Sequence, residues 1–103
     1  MAKFQLKDAA EGKILFAKGS LTIEHACALK EILIQALKTT DHLLIDLGEI
    51  TSFDLACLQI LCSAHKSFNE AHKHMDLQDT PPEIFVKILY DSGIDRSAFA
   101  MSI

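Results

Sequence analysis

Strand-like patterns occupy four places along the chain. Phe4–Leu6 alternates apolar and polar residues as a short edge strand does, and Lys13–Lys18 carries a second strand. Gly12 breaks the chain between them, which predicts a hairpin. His42–Leu47 is short and nearly all apolar, a composition typical of a central strand covered on both faces. Met75–Gln78 alternates again and predicts the fourth strand.

Helical spacing appears first between Ile23 and Lys38. A turn is predicted before it at Gly19-Ser20, and Thr22 is the expected N-cap. The apolar stripe of this helix consists of Ala26, Leu29, Leu33, Ala36 and Leu37. One face of the helix is therefore expected to lie against the sheet.

A second helix is predicted from Leu55 to about Ala71. Asp54 precedes it directly, and an Asp at this position accepts hydrogen bonds from the first backbone N–H groups of a helix. Gly48–Phe53 is rich in turn formers and predicts a loop. The apolar stripe is formed by Cys57 or Leu58, Leu61, Ala64 or His65, and Phe68. A loop and a capped helix start are thus expected to meet at Asp54.

The third helix is predicted to start within Thr80–Glu83, with Thr80 as N-cap, Pro81 at the first helical position and Glu83 completing a capping box. Its apolar face comprises Ile84, Phe85, Ile88 and Leu89, and Gly93 ends it. The tail from Ser97 to Ile103 is either a last strand on the same sheet or a partner-binding strand.

These elements give the order β-β-α-β-α-β-α, with room for a final strand. Strand–helix–strand connections of this length favour right-handed crossovers and parallel pairing, and the opening hairpin makes the sheet mixed. We expect one α/β domain over residues 1–103, with a mixed sheet of four or five strands and about three packed helices. Loops at the strand ends would form its working surface.

Composition narrows the classes of function. The chain has 103 residues, half of them apolar, and a formal charge of −4 with scattered basic residues. Nucleic-acid binders concentrate Lys and Arg on one face, so nucleic acid is not an expected partner. The N-terminus lacks a secretory pattern, and no apolar run approaches the ~20 residues that span a bilayer. A cytoplasmic location is therefore expected.

For each candidate catalytic or metal-ligating residue, a structural role is favoured over a functional one. Cys57 lies near a helix N-terminus, where a thiol pKa falls, but a buried free thiol is the favoured interpretation. The spacing of His65, Asn69 and His72 only loosely resembles a zinc site. Asp46 and Asp54 are better explained as a strand-end residue and a cap than as an acid/base pair. We expect neither an enzyme nor a cofactor.

Three segments are distinctive in their order and spacing: Gly19–Thr22, Leu43–Asp54 and Pro82–Gly93. They resemble the STAS (sulphate transporter and anti-sigma factor antagonist) family. Leu43–Asp54 (LLIDLGEITSFD) resembles the core strand and the connection to the second helix of that family. Gly19–Thr22 resembles the turn before the first helix. Pro82–Gly93, continuing into Ile94, resembles the third helix with its Ser-Gly-hydrophobic ending. The resemblance extends over most of the chain, from about Gly12 to Ile94, and the order and spacing of the three segments carry it.

The resemblance implies a position for the regulatory phosphoserine of the family. In anti-sigma factor antagonists an Asp is followed by Ser-Ser-Gly, and the second Ser is phosphorylated by a partner kinase. Here Asp54 matches the Asp, while Leu55, Ala56 and Cys57 stand in place of Ser, Ser and Gly. Phosphorylation is therefore not expected at Ala56, whether the alanine is natural or engineered.

The function implied is a bacterial signalling module that regulates transcription by binding an anti-sigma factor or kinase-like protein. An alternative is a STAS subunit of a chemotaxis-type signalling or lipid-transport ATPase complex, and a homodimer is a further candidate. Phe53 and Leu55 are expected to supply apolar contact. The full predicted partner-binding surface consists of Ser20, Leu21, Thr22, Thr51, Ser52, Phe53, Asp54, Leu55, Ala56 and Cys57.

Overall fold

The computed structural model describes residues 3–10, 12–78 and 82–93. Its strands are β1 (Lys3–Ala9), β2 (Gly12–Leu21), β3 (His42–Phe53) and β4 (His74–Leu77), and its helices are α1 (Ala26–Thr39), α2 (Leu55–Glu70) and α3 (Glu83–Ser92). A 3-10 turn at Ile23–His25 leads into α1. The element order is the one that the sequence predicts.

The sheet is mixed and has the order β1-β2-β3-β4. The opening hairpin pairs β1 with β2 antiparallel, whereas β2, β3 and β4 are mutually parallel. The expected mixed α/β architecture is confirmed for these four strands. The candidate final strand at Ser97–Ile103 lies outside the described residues.

Strands β2 and β3 both extend further than expected, so the predictions of a turn at Gly19-Ser20 and a loop at Gly48–Phe53 are wrong. The two segments pair with each other up to Leu21 opposite Phe53. Register shifts accommodate the turn-forming residues, and Gly19 takes a φ of 84° that favours glycine. Turn formers therefore mark irregular strand pairing here, not the ends of strands.

The hydrophobic core lies on one face of the sheet. Leu15, Leu43 and Ile45 are at most 1% exposed, whereas Leu44 and Asp46, on the other face of β3, are only half-buried. The expectation that the central strand is covered on both faces is therefore wrong. Buried residues of all three helices join the same core cluster, which places the helices on the buried face.

The predicted stripes pack on the core, but some of their residues are only partly buried: Ala26, Leu37, Ile84 and Ile88. Helix α1 buries Leu29, Leu33 and Ala36, and α3 buries Phe85 and Leu89. Helix α2 buries both alternatives at its start, and His65 instead of Ala64 further on; its buried residues are Cys57, Leu58, Leu61, His65 and Phe68.

The ends of α3 differ in how well the sequence predicted them. Gly93 follows the helix in the left-handed conformation, as expected. The predicted start is wrong, because α3 begins at Glu83 with extended Pro82 in the N-cap position. A residue before proline is disfavoured in a helix, so a Pro-Pro pair delays the start. Thr80 and Pro81 lie outside the described residues.

Candidate functional site

The parallel strands β2 and β3 bring two helix starts to the same edge of the sheet. Leu21 is opposite Phe53 at the last paired position, and the Asp54 backbone N–H donates to the Leu21 carbonyl at 3.2 Å. Ile23 opens the 3-10 turn before α1, and Leu55 opens α2. Segments 31 residues apart in sequence thus meet at Asp54.

The Asp54 carboxylate holds these two helix starts together. One oxygen accepts from the Cys57 backbone N–H at 3.1 Å, which confirms the predicted cap of α2. The other accepts from the Ile23 backbone N–H at 2.8 Å. Both partners are backbone donors that helix geometry leaves unsatisfied, and a negative charge is favourable at both helix N-termini.

Thr22 does not cap the first helix with its side chain. It occupies the N-cap position of the 3-10 turn, but its hydroxyl makes no capping hydrogen bond. The backbone carbonyl of Thr22 instead accepts from the His25 N–H at 2.8 Å and from the Cys57 thiol at 3.4 Å. The predicted cap is therefore wrong. The Ile23 N–H donates instead to Asp54, which follows the adjacent strand β3.

Three of the ten predicted partner-binding residues form the base of this site. Leu21 and Cys57 are 0% exposed and Phe53 is 6% exposed. The Phe53 ring packs against Phe85 of α3, with ring centroids 5.3 Å apart. Phe53 therefore supports the surface from below, and its burial leaves little of the ring for the apolar contact that the sequence suggested.

Large apolar side chains are nevertheless exposed beside Asp54. Leu55 is 46% exposed and Ile23 is 70% exposed, while Ala56 is partly exposed in the first turn of α2. We call these four residues, Ile23, Asp54, Leu55 and Ala56, the Asp54 surface. Around it, Thr51 is exposed, and Ser20, Thr22 and Ser52 are half-buried.

Ile23 was not among the residues predicted from the sequence. The available signal was its position outside the apolar stripe of the first helix, since a large apolar residue there has no place in the core. The sequence pattern does not show which contact holds Ile23 in this position. The bond from the Ile23 N–H to Asp54 connects residues that are distant along the chain.

The cysteines of α2 are poor nucleophiles in this setting. Burial raises the pKa of the Cys57 thiol to about 11, and the adjacent Asp54 carboxylate acts in the same direction. Burial also raises the pKa of Cys62. Because the thiolate is the reactive form, Cys57 remains protonated at neutral pH despite its place near a helix N-terminus.

The residues considered for metal binding or acid/base chemistry do not assemble into a site. His65 is 6% exposed and burial lowers its pKa, whereas His72 is exposed beyond the end of α2. Asp46 accepts a hydrogen bond from the Gly48 N–H at 2.8 Å, which is a local contact within β3. Within residues 3–10, 12–78 and 82–93, no three His, Cys, Asp or Glu side chains are placed to hold a metal ion.

Comparison with known families decides the classification. A family model described as "Mlab, STAS domain" matches residues 4–100. The chain belongs to the STAS family. A search of curated proteins gives no significant match to this STAS domain. None of the helices in the described part of the chain has the length and apolar character needed to cross a bilayer.

Solved structures of anti-sigma factor antagonists share the fold of this STAS domain. The antagonist from Mycobacterium paratuberculosis superposes with a TM-score of 0.81 at 14% identity, over 94% of this chain and 82% of that one. A putative antagonist from Thermotoga maritima gives 0.78 at 24% identity, over 90% and 80%. The phosphorylated Bacillus cell fate determinant SpoIIAA gives 0.73 at 13% identity, over 98% and 91%. Identities this low establish a common fold.

Proposed function

We propose that this STAS domain is a regulatory module that binds another protein through the Asp54 surface. The observation that carries the proposal is the exposure of Ile23 and Leu55 on two helix starts that one carboxylate holds together. Exposed apolar side chains beside polar residues on a fixed frame are typical of protein interfaces. The predicted partner-binding residues belong to this surface, surround it or support it.

The partner class that we propose is an anti-sigma factor or a kinase-like regulator. Support comes from the fold shared with proteins described as anti-sigma factor antagonists, including SpoIIAA in its unphosphorylated and phosphorylated forms. The resemblance in sequence implies that Ala56, in the first turn of α2, stands where these antagonists carry their phosphorylated serine. Transcription regulation in a bacterial cytoplasm is the corresponding setting, and the free cysteines suit a reducing compartment.

Ala56 determines how this surface is regulated. A phosphate adds roughly −1.5 to −2 charge and would stand among exposed apolar side chains, where it opposes association. Ala56 has no hydroxyl to modify, so the Asp54 surface stays in its binding-competent form at this position. The activity is binding and not catalysis, which agrees with the protonated thiol of Cys57.

The proposal is tested by placing a charge where the family carries its phosphate. The wild-type protein and Ala56→Asp are first used to capture partners from native lysate, and the captured protein is then purified and titrated calorimetrically. We expect Ala56→Asp to weaken binding by about tenfold or more, because it introduces a charge that must be desolvated in the interface.

The matched control is Ala10→Asp, which adds the same charge at an exposed turn after β1. It should bind like the wild type. Equal affinity of Ala56→Asp and Ala10→Asp for the partner would show that the docking surface lies elsewhere.

A second candidate function is a permanent STAS subunit of a chemotaxis-type signalling or lipid-transport ATPase complex. The observation that favours it is again Ala56, because a permanently bound subunit needs no phosphorylation switch. The identity of the captured partner separates the two candidates. An anti-sigma factor or kinase supports the first, and a transport ATPase or a multiprotein signalling array supports the second.

A further inference from the structure

Helices α1 and α2 run side by side and enclose a groove next to the Asp54 surface. Because β2, β3 and β4 are parallel, both helices run back in the opposite direction and begin at the same edge of the sheet. The groove between them has a volume of about 440 Å³. Ala56 belongs both to the Asp54 surface and to the lining of this groove.

Apolar side chains form much of the groove lining. Leu33 and Phe68 are buried at its base, and Ile60 is partly buried. Ile34 is 43% exposed at its rim, outside the stripe with which α1 packs on the sheet. A large apolar side chain in that position gains contact only when something else occupies the groove.

The dimensions of the groove suit a short helix. Its lining follows α2 from Ala56 to Phe68, which corresponds to roughly 18 Å or about three helical turns. Small side chains on the α2 side, Ser63, Ala64 and Ser67, leave room for another helix to approach. A groove between two helices receives the apolar face of an amphipathic helix through side chains at spacings of three and four.

Charge indicates what the occupant carries beside its apolar face. Among the described residues that line the groove, Lys30 is the one charged side chain, and none of them carries a carboxylate. Lys30 also forms no salt bridge with any residue in the described ranges. An acidic side chain on the occupant would supply the missing counter-charge. A second copy of this chain in symmetric contact would bring two like-charged lysines into one interface.

We propose that the α1–α2 groove binds an amphipathic helix of the partner protein, with an acidic residue placed against Lys30. This inference rests on the proposed function, because it extends the contact from the Asp54 surface along the two helices through Ala56. It specifies that the partner must contribute an amphipathic helix. It also adds Ile34 and Lys30 as determinants of specificity.

The probe is a stapled helical peptide of about 12 residues, with leucines at spacings of three and four and glutamates flanking the leucine stripe. A second peptide has lysines in place of the glutamates. Amide chemical shifts of labelled full-length protein, recorded during titration, give both the affinity and the location of binding. We expect shifts along Ile34, Ile60 and Ser63 and tighter binding of the acidic peptide.

Two substitutions test the groove directly. Ile34→Asp should weaken the acidic peptide by about tenfold, since it replaces apolar contact with a charge. Lys30→Glu should reverse the preference between the two peptides, with a change of about fivefold for each. Lys3→Glu on β1 makes the same charge change at a remote exposed position and should leave the preference unaltered.

Several outcomes would overturn the proposal. Shifts confined to other surfaces, or a peptide preference that Lys30→Glu leaves unchanged, would remove the groove as a helix site. Displacement of the peptide by dodecanoate at the same residues would assign the groove to an apolar small molecule. Sedimentation that shows a dimer dissociating in Ile34→Asp would assign it to a second copy.

The experiment separates this inference from the proposed function. If Ile34→Asp and Lys30→Glu leave the affinity of the captured partner unchanged while Ala56→Asp weakens it, the groove proposal fails and the Asp54 surface stands. If all three leave that affinity unchanged, the proposed function fails as well.

Discussion

The two edges of the sheet that lie at opposite ends of its parallel strands differ in their polar contacts. Where β2 and β3 end, one carboxylate, that of Asp54, accepts from two backbone N–H groups. Where β3 and β4 begin, the contacts include pairs of ionisable side chains: His42 lies 3.2 Å from Asp76, and Lys73 lies 3.7 Å from Asp41. The Asp54 contacts fix two backbone segments, whereas contacts between partly exposed ionisable side chains are weakened by salt.

The difference supports the proposal that the Asp54 edge is the one that binds a partner. The Asp54 edge combines fixed helix starts with exposed Ile23 and Leu55, so the apolar surface proposed to bind a partner is ordered before binding. The opposite edge has partly exposed charged groups, which water can solvate without a partner. Rigidity and apolar exposure coincide at the first edge.

The largest expected effect is on stability, at Asp54. Asp54→Ala removes the acceptor from two backbone donors at once, and each lost cap costs up to about 2 kcal/mol. We expect the free energy of unfolding to fall by about 2 to 3 kcal/mol in urea denaturation. Asp54→Asn retains one carbonyl acceptor and should lose about half as much.

The matched control is Asp46→Ala, which removes an Asp that accepts from one backbone N–H within the described part of the chain. A loss for Asp54→Ala no larger than that for Asp46→Ala would contradict the double cap.

A smaller effect is expected at the opposite edge, from Lys73. Its ammonium donates to the Leu37 carbonyl near the end of α1 and lies close to Asp41. Lys73→Met should lower the free energy of unfolding by about 1 kcal/mol, because a charged hydrogen bond to a helix end is lost. The loss should shrink with added salt. A salt-independent loss as large as that of Asp54→Ala would remove the contrast between the edges.

The smallest expected effect is a pH dependence from His65. Burial lowers the pKa of this imidazole, an effect that the charge of Asp76 opposes. The folded state therefore binds its proton less readily than the unfolded state. The resulting stability is present above the unfolded pKa of about 6.5 and is lost as the pH falls through the folded pKa.

Urea denaturation at about pH 7.5 and about pH 5 measures this term. The loss on acidification should be smaller in His65→Gln than in the wild type. His72→Gln, which removes an exposed imidazole, is the matched control. An identical pH dependence in all three proteins would contradict the assignment.

Local signals in the sequence are sufficient to predict the type and order of the helices and strands, but not all of their ends. The stripe of α1 and the Asp54 cap of α2 depend on residues within a few positions of each other, and both were predicted correctly. The strand extensions at Gly19 and at Gly48–Phe53 were missed, because extended backbone there depends on pairing between two distant segments. Turn-forming composition gives no information on such pairing.

The candidate site was predictable to the same extent. The predicted start of α2 identifies Asp54 as its cap and Leu55 as its first residue. The resemblance to the STAS family adds the expectation that these residues bind a partner. The bond from the Ile23 N–H to Asp54 and the burial of Phe53 under α3 are tertiary features, so the sequence assigned the first cap to Thr22 and apolar contact to Phe53. The third helix start was misplaced because consecutive prolines were counted as part of the helix.

The central claim is that exposed apolar side chains at the Asp54 edge bind the partner. Its most direct test is the affinity of the captured partner for Leu55→Ser and for Tyr90→Ser, which alters a comparably exposed side chain on α3. We predict about a tenfold weakening for Leu55→Ser and less than about a twofold change for Tyr90→Ser. Weakening by Tyr90→Ser alone would contradict the account, because the contact would then involve α3 and not the paired helix starts.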